Sequence, residues 1–219
     1  MKFRLARSWS LILGLAVLVM CTSWTAGAEE YKEGKQYERV PGGQHLADPG
    51  DKGKIEVTEV FWYGCPHCYH MEPLVQAWLA QHGNEVHFVR LPAVLNENWR
   101  THARAYFTEQ LLGVVPQLHK PLFDAINKEN KPLNTEQSLE DFFAAHGVDR
   151  AKFKQTFNSF AVETEMRRAE QLVEAYGLTG VPAFVVNGKY WTDVRHAGGY
   201  PQTLEVVNYL INKERKGSS

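Results

Sequence analysis

The chain has 219 residues, 44% of them hydrophobic and 22% charged, with 24 Lys and Arg against 25 Asp and Glu. That balance excludes a disordered, collagen-like or coiled-coil chain, and the length fits one or two packed domains. A net charge of −1 without any Lys/Arg block gives no reason to expect nucleic acid, and three cysteines are too few for a disulfide-stapled mini-protein.

The chain starts with Lys2, Arg4 and Arg7, followed by an apolar run from Leu11 to Cys21 and then Ala26-Gly27-Ala28. A basic start, a short apolar core and small residues before a cut form the plan of a secretory signal peptide, here residues 1–28, cleaved before Glu29. The apolar core is short against the roughly 20 residues of a membrane span. A lipoprotein cut before Cys21 is disfavoured by Met20, where a small residue is expected. Cleavage leaves 21 basic and 25 acidic residues, a net charge of −4, and two cysteines, Cys65 and Cys68. A disulfide stabilises by closing a long loop, and a pair three residues apart closes almost none. Chemistry explains this pair better than stapling.

Pro41–Lys54, rich in Gly and Pro, is predicted to be an irregular lead-in. The β-branched and aromatic run Ile55–Tyr63 predicts a strand, broken by Gly64. Pro66 suits the first turn of a helix, and Met71, Leu74, Val75, Trp78 and Leu79 continue it at helical spacing to Gly83. Glu85–Leu91 predicts a second strand. Helical spacing then predicts Trp99–Leu112, Gln117–Asn127, Leu139–His146, Arg150–Phe157 and Val162–Tyr176, with Ser138-x-x-Asp141 as a capping box and Gly147 as a stop. Ala183–Val186, Asn187-Gly188 and Lys189–Trp191 predict a type I′ hairpin, and Pro201 opens a terminal helix. The order is β-α-β, a helical block, then β-β-α: an α/β fold split by an all-helical insertion. The expected divisions are 29–94, 95–170 and 171–219, the outer two forming one domain.

The chemistry is expected in Cys65-Pro66-His67-Cys68. A thiol at the first turn of a helix meets unpaired N–H groups and the positive end of the helix dipole, which favour thiolate. His67 can add positive charge or a hydrogen bond. A stabilised Cys65 thiolate is a good leaving group, so a Cys65–Cys68 disulfide is readily attacked and prefers to be reduced. Cys68, one turn in, is expected to be the shielded, resolving thiol. Haem attachment would need His directly after Cys68, where Tyr69 stands, and a zinc site would need further ligands that no second C-x-x-C supplies.

FWYGCPHCYHMEP around these cysteines resembles the active-site segment of the thioredoxin superfamily, and its Pro-His pair resembles that of the DsbA family. TGVPAFVVNGKY, from Thr179 to Tyr190, is similar to the segment holding that family's cis-proline, at Val181-Pro182. The resemblance spans essentially the whole chain after the leader. It implies a thioredoxin-like fold with an inserted helical domain and a periplasmic dithiol oxidase without cofactor or metal. Its partners would be newly exported, unfolded proteins and a DsbB-type membrane quinone reductase, and the protein would be a monomer.

By the same resemblance Glu59 lies beneath the cysteines and moves protons for the buried thiol, while Val181 and Pro182 bind substrate. By pattern alone Glu59 could equally be a solvated residue on an exposed sheet face. Family members often pair this acid with a lysine on the next strand, where this chain has Arg90, which cannot donate a proton at neutral pH. Glu59 is therefore expected to stay firmly ionised. Pro73 resembles the kinking proline of thioredoxin, with a structural role. His70, His82, His87, His102, His119, His146 and His196 are expected at the surface or in packing, and Trp99, Tyr106, Phe142 and Phe143 in the core. The alternatives are a reductase and, in another class, a peptide-binding chaperone with incidental cysteines. An isomerase would carry a dimerisation domain before the first strand, where only Glu29–Lys54 are found.

Overall fold

The computed structural model describes residues 31–41 and 53–217. The expected signal peptide, Cys21 and most of the expected lead-in lie outside them. In chain order the elements are β1 (Glu38–Arg39), β2 (Ile55–Phe61), α1 (Pro66–His82), β3 (Val86–Pro92), α2 (Glu97–Leu112), α3 (Val115–Asn127), α4 (Glu136–Ala145), α5 (Arg150–Phe157), α6 (Phe160–Ala175), β4 (Ala183–Val186), β5 (Tyr190–Asp193), α7 (Val194–Ala197) and α8 (Tyr200–Gly217). No helix among the described residues is long and apolar enough to cross a membrane.

The strands form one sheet in the order β1-β5-β4-β2-β3, with β2 parallel to β3 and antiparallel to β4. The five helices between β3 and β4 form the helical insertion. Along β4 the side chains alternate cleanly. Phe184 and Val186 join a core with Met71, Val75 and Trp78 of α1 and Val207 and Leu210 of α8, while Ala183 and Val185 join a second core with α2, α3 and α6. Both faces of β2 are therefore covered, and Val57 through Phe61 are all buried. A strand covered on both faces usually reads as a continuous apolar run; IEVTEVF departs from this at Glu56, Thr58 and Glu59, all three of them buried. The solvated reading of Glu59 is excluded: it is only 1% exposed. Residues paired across strands share a face. Opposite Phe184, Glu59 points toward α1; opposite Arg90, it meets the guanidinium.

Side-chain caps start four of the inserted helices, at Asn96, Thr135, Asp149 and Ser159. Each such cap is worth roughly 1 kcal/mol. The capping box of α4 is Thr135 with Ser138, three residues before the expected Ser138-x-x-Asp141. Thr135 accepts from the Ser138 amide, so Ser138 is the third helical residue and not the cap. Gly147 has φ +88° and follows the end of α4, as expected of a stop. Gly83 has ordinary helical angles, so α1 ends there without a left-handed residue. Asn187 and Gly188 both have positive φ, the signature of the type I′ turn. Pro73 lies inside α1, and the peptide between Val181 and Pro182 is cis.

Candidate active site

Cys65 is the N-cap residue of α1, with extended angles, and Pro66 opens the helix where its missing N–H is no loss. Gly64 is fixed by packing. The Trp62 ring folds over it so closely that an added Cβ would lie 2.3 Å from a ring carbon. Trp62 in turn stacks on Trp99 of α2, the rings 4.4 Å apart and 5° from parallel. The turn that presents Cys65 is thus clamped to the helical insertion.

Both cysteines are thiols in this structure and both are buried, Cys68 completely. The Cys65 thiol lies 3.6 Å from the carbonyl oxygen of Val181, which accepts its hydrogen. The sequence-predicted Cys65, Cys68, His67, Val181 and Pro182 therefore meet at one place. A cleft of about 360 Å³ opens beside them, lined by His67, Val181, Pro182, Asp193 and Arg195 among others.

The two sulfurs behave in opposite ways. The Cys65 thiol is brought down from 9.0 to about 6. The largest cause is the hydrogen bond that Cys68 offers its sulfur. Burial opposes the shift, the backbone amides of Cys68 and His67 support it, and the charge of His67 adds least. Sequence reasoning expected the helix end and His67 to lead; the neighbouring thiol leads instead. Burial pushes Cys68 well above its ordinary value, and Cys65 and Glu59 push it further. Cys68 keeps its proton and points it at Cys65. His67 is held from the side: its Nδ1 is 2.6 Å from the hydroxyl of Tyr200, the first residue of α8. Sequence reasoning missed Tyr200, 133 positions away.

Glu59 and Arg90 do meet, with Arg90 Nε 3.1 Å from Glu59 Oε2, though the pair is not aligned as a hydrogen bond. The expectation that Arg90 keeps Glu59 firmly ionised is not met. Burial raises the carboxyl from 4.5 to about 7; Arg90 opposes this and Glu72 adds to it. Desolvation wins because Arg90 is shared: its Nη2 lies 3.2 Å from Glu72 Oε1. Glu72 also accepts from Gln76 and faces His119 Nε2 at 3.5 Å. Sequence reasoning missed Glu72 and placed His119 with surface and packing residues. The signal was helical spacing. Glu72 falls in the buried stripe Cys68, Met71, Glu72, Val75 of α1, and His119 in Leu118, His119, Leu122, Phe123 of α3. A charged or titratable residue on an apolar stripe is buried with a partner or a task. Among the described residues no cluster of His, Cys, Asp or Glu is arranged to hold a metal.

The DSBA-like thioredoxin domain model matches residues 85–197. The thiol:disulfide interchange protein DsbA of Pseudomonas aeruginosa is 45% identical over 202 residues, 91% of this chain and 94% of that protein. The chain belongs to the DsbA family. DsbA of Azotobacter vinelandii is 42% identical and covers 94% of this chain and 97% of its own length. The crystal structure of P. aeruginosa DsbA superposes with a TM-score of 0.80 at 45% identity, covering 86% of this chain and 96% of that one. The expected thioredoxin-like fold with a helical insertion is thereby shown, and so is the expected class, a disulfide oxidoreductase.

Proposed function

We propose that this protein is a periplasmic dithiol oxidase that donates a Cys65–Cys68 disulfide to newly exported, unfolded proteins. The supporting observation is the opposed state of the two sulfurs, Cys65 near 6 and Cys68 well above its ordinary value. A substrate thiolate attacks Cys65, forming a mixed disulfide and releasing Cys68 as a thiolate. Glu59, poised near 7, donates the proton that the buried Cys68 thiolate needs. A second substrate thiolate then attacks the substrate sulfur of the mixed disulfide. The substrate leaves with its disulfide, and Cys65 leaves as a stabilised thiolate. The two electrons stay on the enzyme as Cys65 thiolate and Cys68 thiol.

A DsbB-type membrane quinone reductase would reverse this. Its disulfide is attacked by Cys65, and Cys68 then closes the ring after giving its proton back to Glu59. His67 contributes a minor charge to the thiolate. The Val181 carbonyl, 3.6 Å from the Cys65 sulfur, is placed to accept from an extended substrate once Cys65 is in the mixed disulfide. The chemistry needs no metal or cofactor, and the protein would act as a monomer. Its first 28 residues would direct export and be removed; residues 29–94 and 171–219 would form the redox domain and 95–170 the insertion.

The test is Cys68→Ala expressed in cells. Mixed disulfides between Cys65 and exported proteins should accumulate on non-reducing gels. Their absence, with the protein folded and exported, would overturn the reading and leave the chaperone alternative.

A further inference from the structure

A second set of buried groups continues from Glu72 away from the cysteines. His119 Nδ1 lies 2.7 Å from the Tyr63 hydroxyl, which lies 2.9 Å from Glu109 Oε2. Glu109 is 0% exposed, and its other oxygen has no partner. Phe61, Tyr106 and Phe123 pack their rings against His119, so the chain is sealed in aromatic surface. From β2, β3, α1, α2, α3 and the turn before α1 the facing groups are Glu59, Arg90, Glu72 with Gln76, Tyr106 with Glu109, His119 with Lys120, and Tyr63. Of the three carboxyls here, Glu59 and Glu72 contact one permanent cation, Arg90, while Glu109 does not, and Lys120 is exposed.

Two polarities are open to the chain. With Glu109 ionised, Tyr63 donates to it and His119 Nδ1–H donates to Tyr63. A lone pair on His119 Nε2 then faces the Glu72 carboxylate, and Glu109 is a buried charge with one bare oxygen. With Glu109 protonated, the Glu109 and Tyr63 hydroxyls each find an acceptor in one direction, and His119 Nε2–H is turned toward the Glu72 carboxylate at 3.5 Å, beyond hydrogen-bond alignment.

We propose that Glu109, Tyr63 and His119 form a one-way hydrogen-bond chain. Glu109 O–H donates to Tyr63, Tyr63 O–H to His119 Nδ1, and His119 Nε2–H points at Glu72. The chain holds Glu72 in place and so sets how much of Arg90 is left for Glu59. Burial pushes Glu109 well above its ordinary range, against the lowering influence of Tyr63 and Arg90, which favours its protonated form. Tyr63 is raised by burial and by Glu109, His119 is lowered by burial, and Glu72 is lowered with help from His119 and Arg90. These are positioning residues, and their role rests on the reading of Glu59 as proton donor and acceptor for Cys68.

The experiment follows the carboxyl carbon of Glu59 by NMR in the oxidised protein labelled with ¹³C-glutamate, assigned by its loss in Glu59→Gln. Breaking the chain with Tyr63→Phe leaves Glu72 to draw Arg90 closer, which weakens the one contact that opposes burial at Glu59. The Glu59 midpoint should rise by roughly half a pH unit or more, a detectable change in the interaction with Arg90. His119→Leu should move it the same way, and decides the matter if Tyr63→Phe does not fold. Glu109→Gln, which keeps a neutral donor toward Tyr63, should leave the midpoint in place. An unmoved midpoint in the chain-breaking variants would overturn the proposal. So would a shift in Glu109→Gln, which would mark the loss of a buried charge. Failure of the proton reading would show separately, as unchanged Cys68 release kinetics in Glu59→Gln.

Discussion

The first turn of α1 and the carboxyl cluster below it are both buried, yet they treat charge in opposite ways. At the helix start the Cys68 thiol and two backbone amides already point at the Cys65 sulfur, so burial is overruled and the thiolate is favoured. Around Glu59 the one cation in contact is shared with Glu72 and poorly aligned, so burial wins and the carboxyl is held near 7. Cys65 is the less deeply buried of the two, and the orientation of donors widens the difference. This division suits a disulfide donor, with a leaving thiolate at the rim and a proton exchanger underneath.

Removing either pole should break the comparison. The largest effect is expected for Cys65→Ser, which should abolish oxidation of a peptide dithiol, measured by stopped-flow or thiol labelling. Glu59→Gln should next slow the release of glutathione from a Cys65 mixed disulfide by about 100-fold at neutral pH, the scale of general acid–base catalysis. The same variant tests the burial argument through stability. The folded carboxyl titrates at about 7 and its ordinary value is 4.5. The group therefore binds its proton more tightly when folded, and its contribution is full below 4.5 and lost as pH rises through 7. The wild type should lose ~3 kcal/mol across that window, and Glu59→Gln should show a flatter profile in chemical denaturation.

Much of this was legible before any coordinates. The CPHC turn, the Val181-Pro182 segment, the hairpin and the five inserted helices all rest on local patterns of spacing, caps and turn residues. What was missed depends on distant partners. Tyr200 reaches His67, Glu109 reaches Tyr63 over 46 positions, and His119 reaches Glu72, contacts that only the packed tertiary structure supplies. Glu59 was placed on the correct strand and opposite Arg90, but its ionisation was misjudged, because pairing was weighed without desolvation. The uninterrupted burial of β2 was the missing quantity.

Smaller effects sharpen the contrast. Gly64→Ala should lower stability by about 2 kcal/mol, the range of overpacking, because the new methyl must move Trp62 off Trp99. A thermal melt and a changed tryptophan fluorescence spectrum would report it. His67→Ala should raise the Cys65 titration by less than one unit, since the His67 charge is the weakest of the five influences on that sulfur. Thiolate absorbance measures this directly. A shift of two units or more would make His67 the leading cause and demote the Cys68 thiol.

The most direct test of the central claim is the redox equilibrium of the Cys65–Cys68 pair with glutathione at pH 7, read by thiol labelling. A Cys65 thiolate stabilised in the dithiol form predicts a pair more oxidising than glutathione, mostly reduced in mixtures where the glutathione pool stays largely reduced. A potential at the reducing end, near that of thioredoxin, would contradict the account and make this chain a reductase.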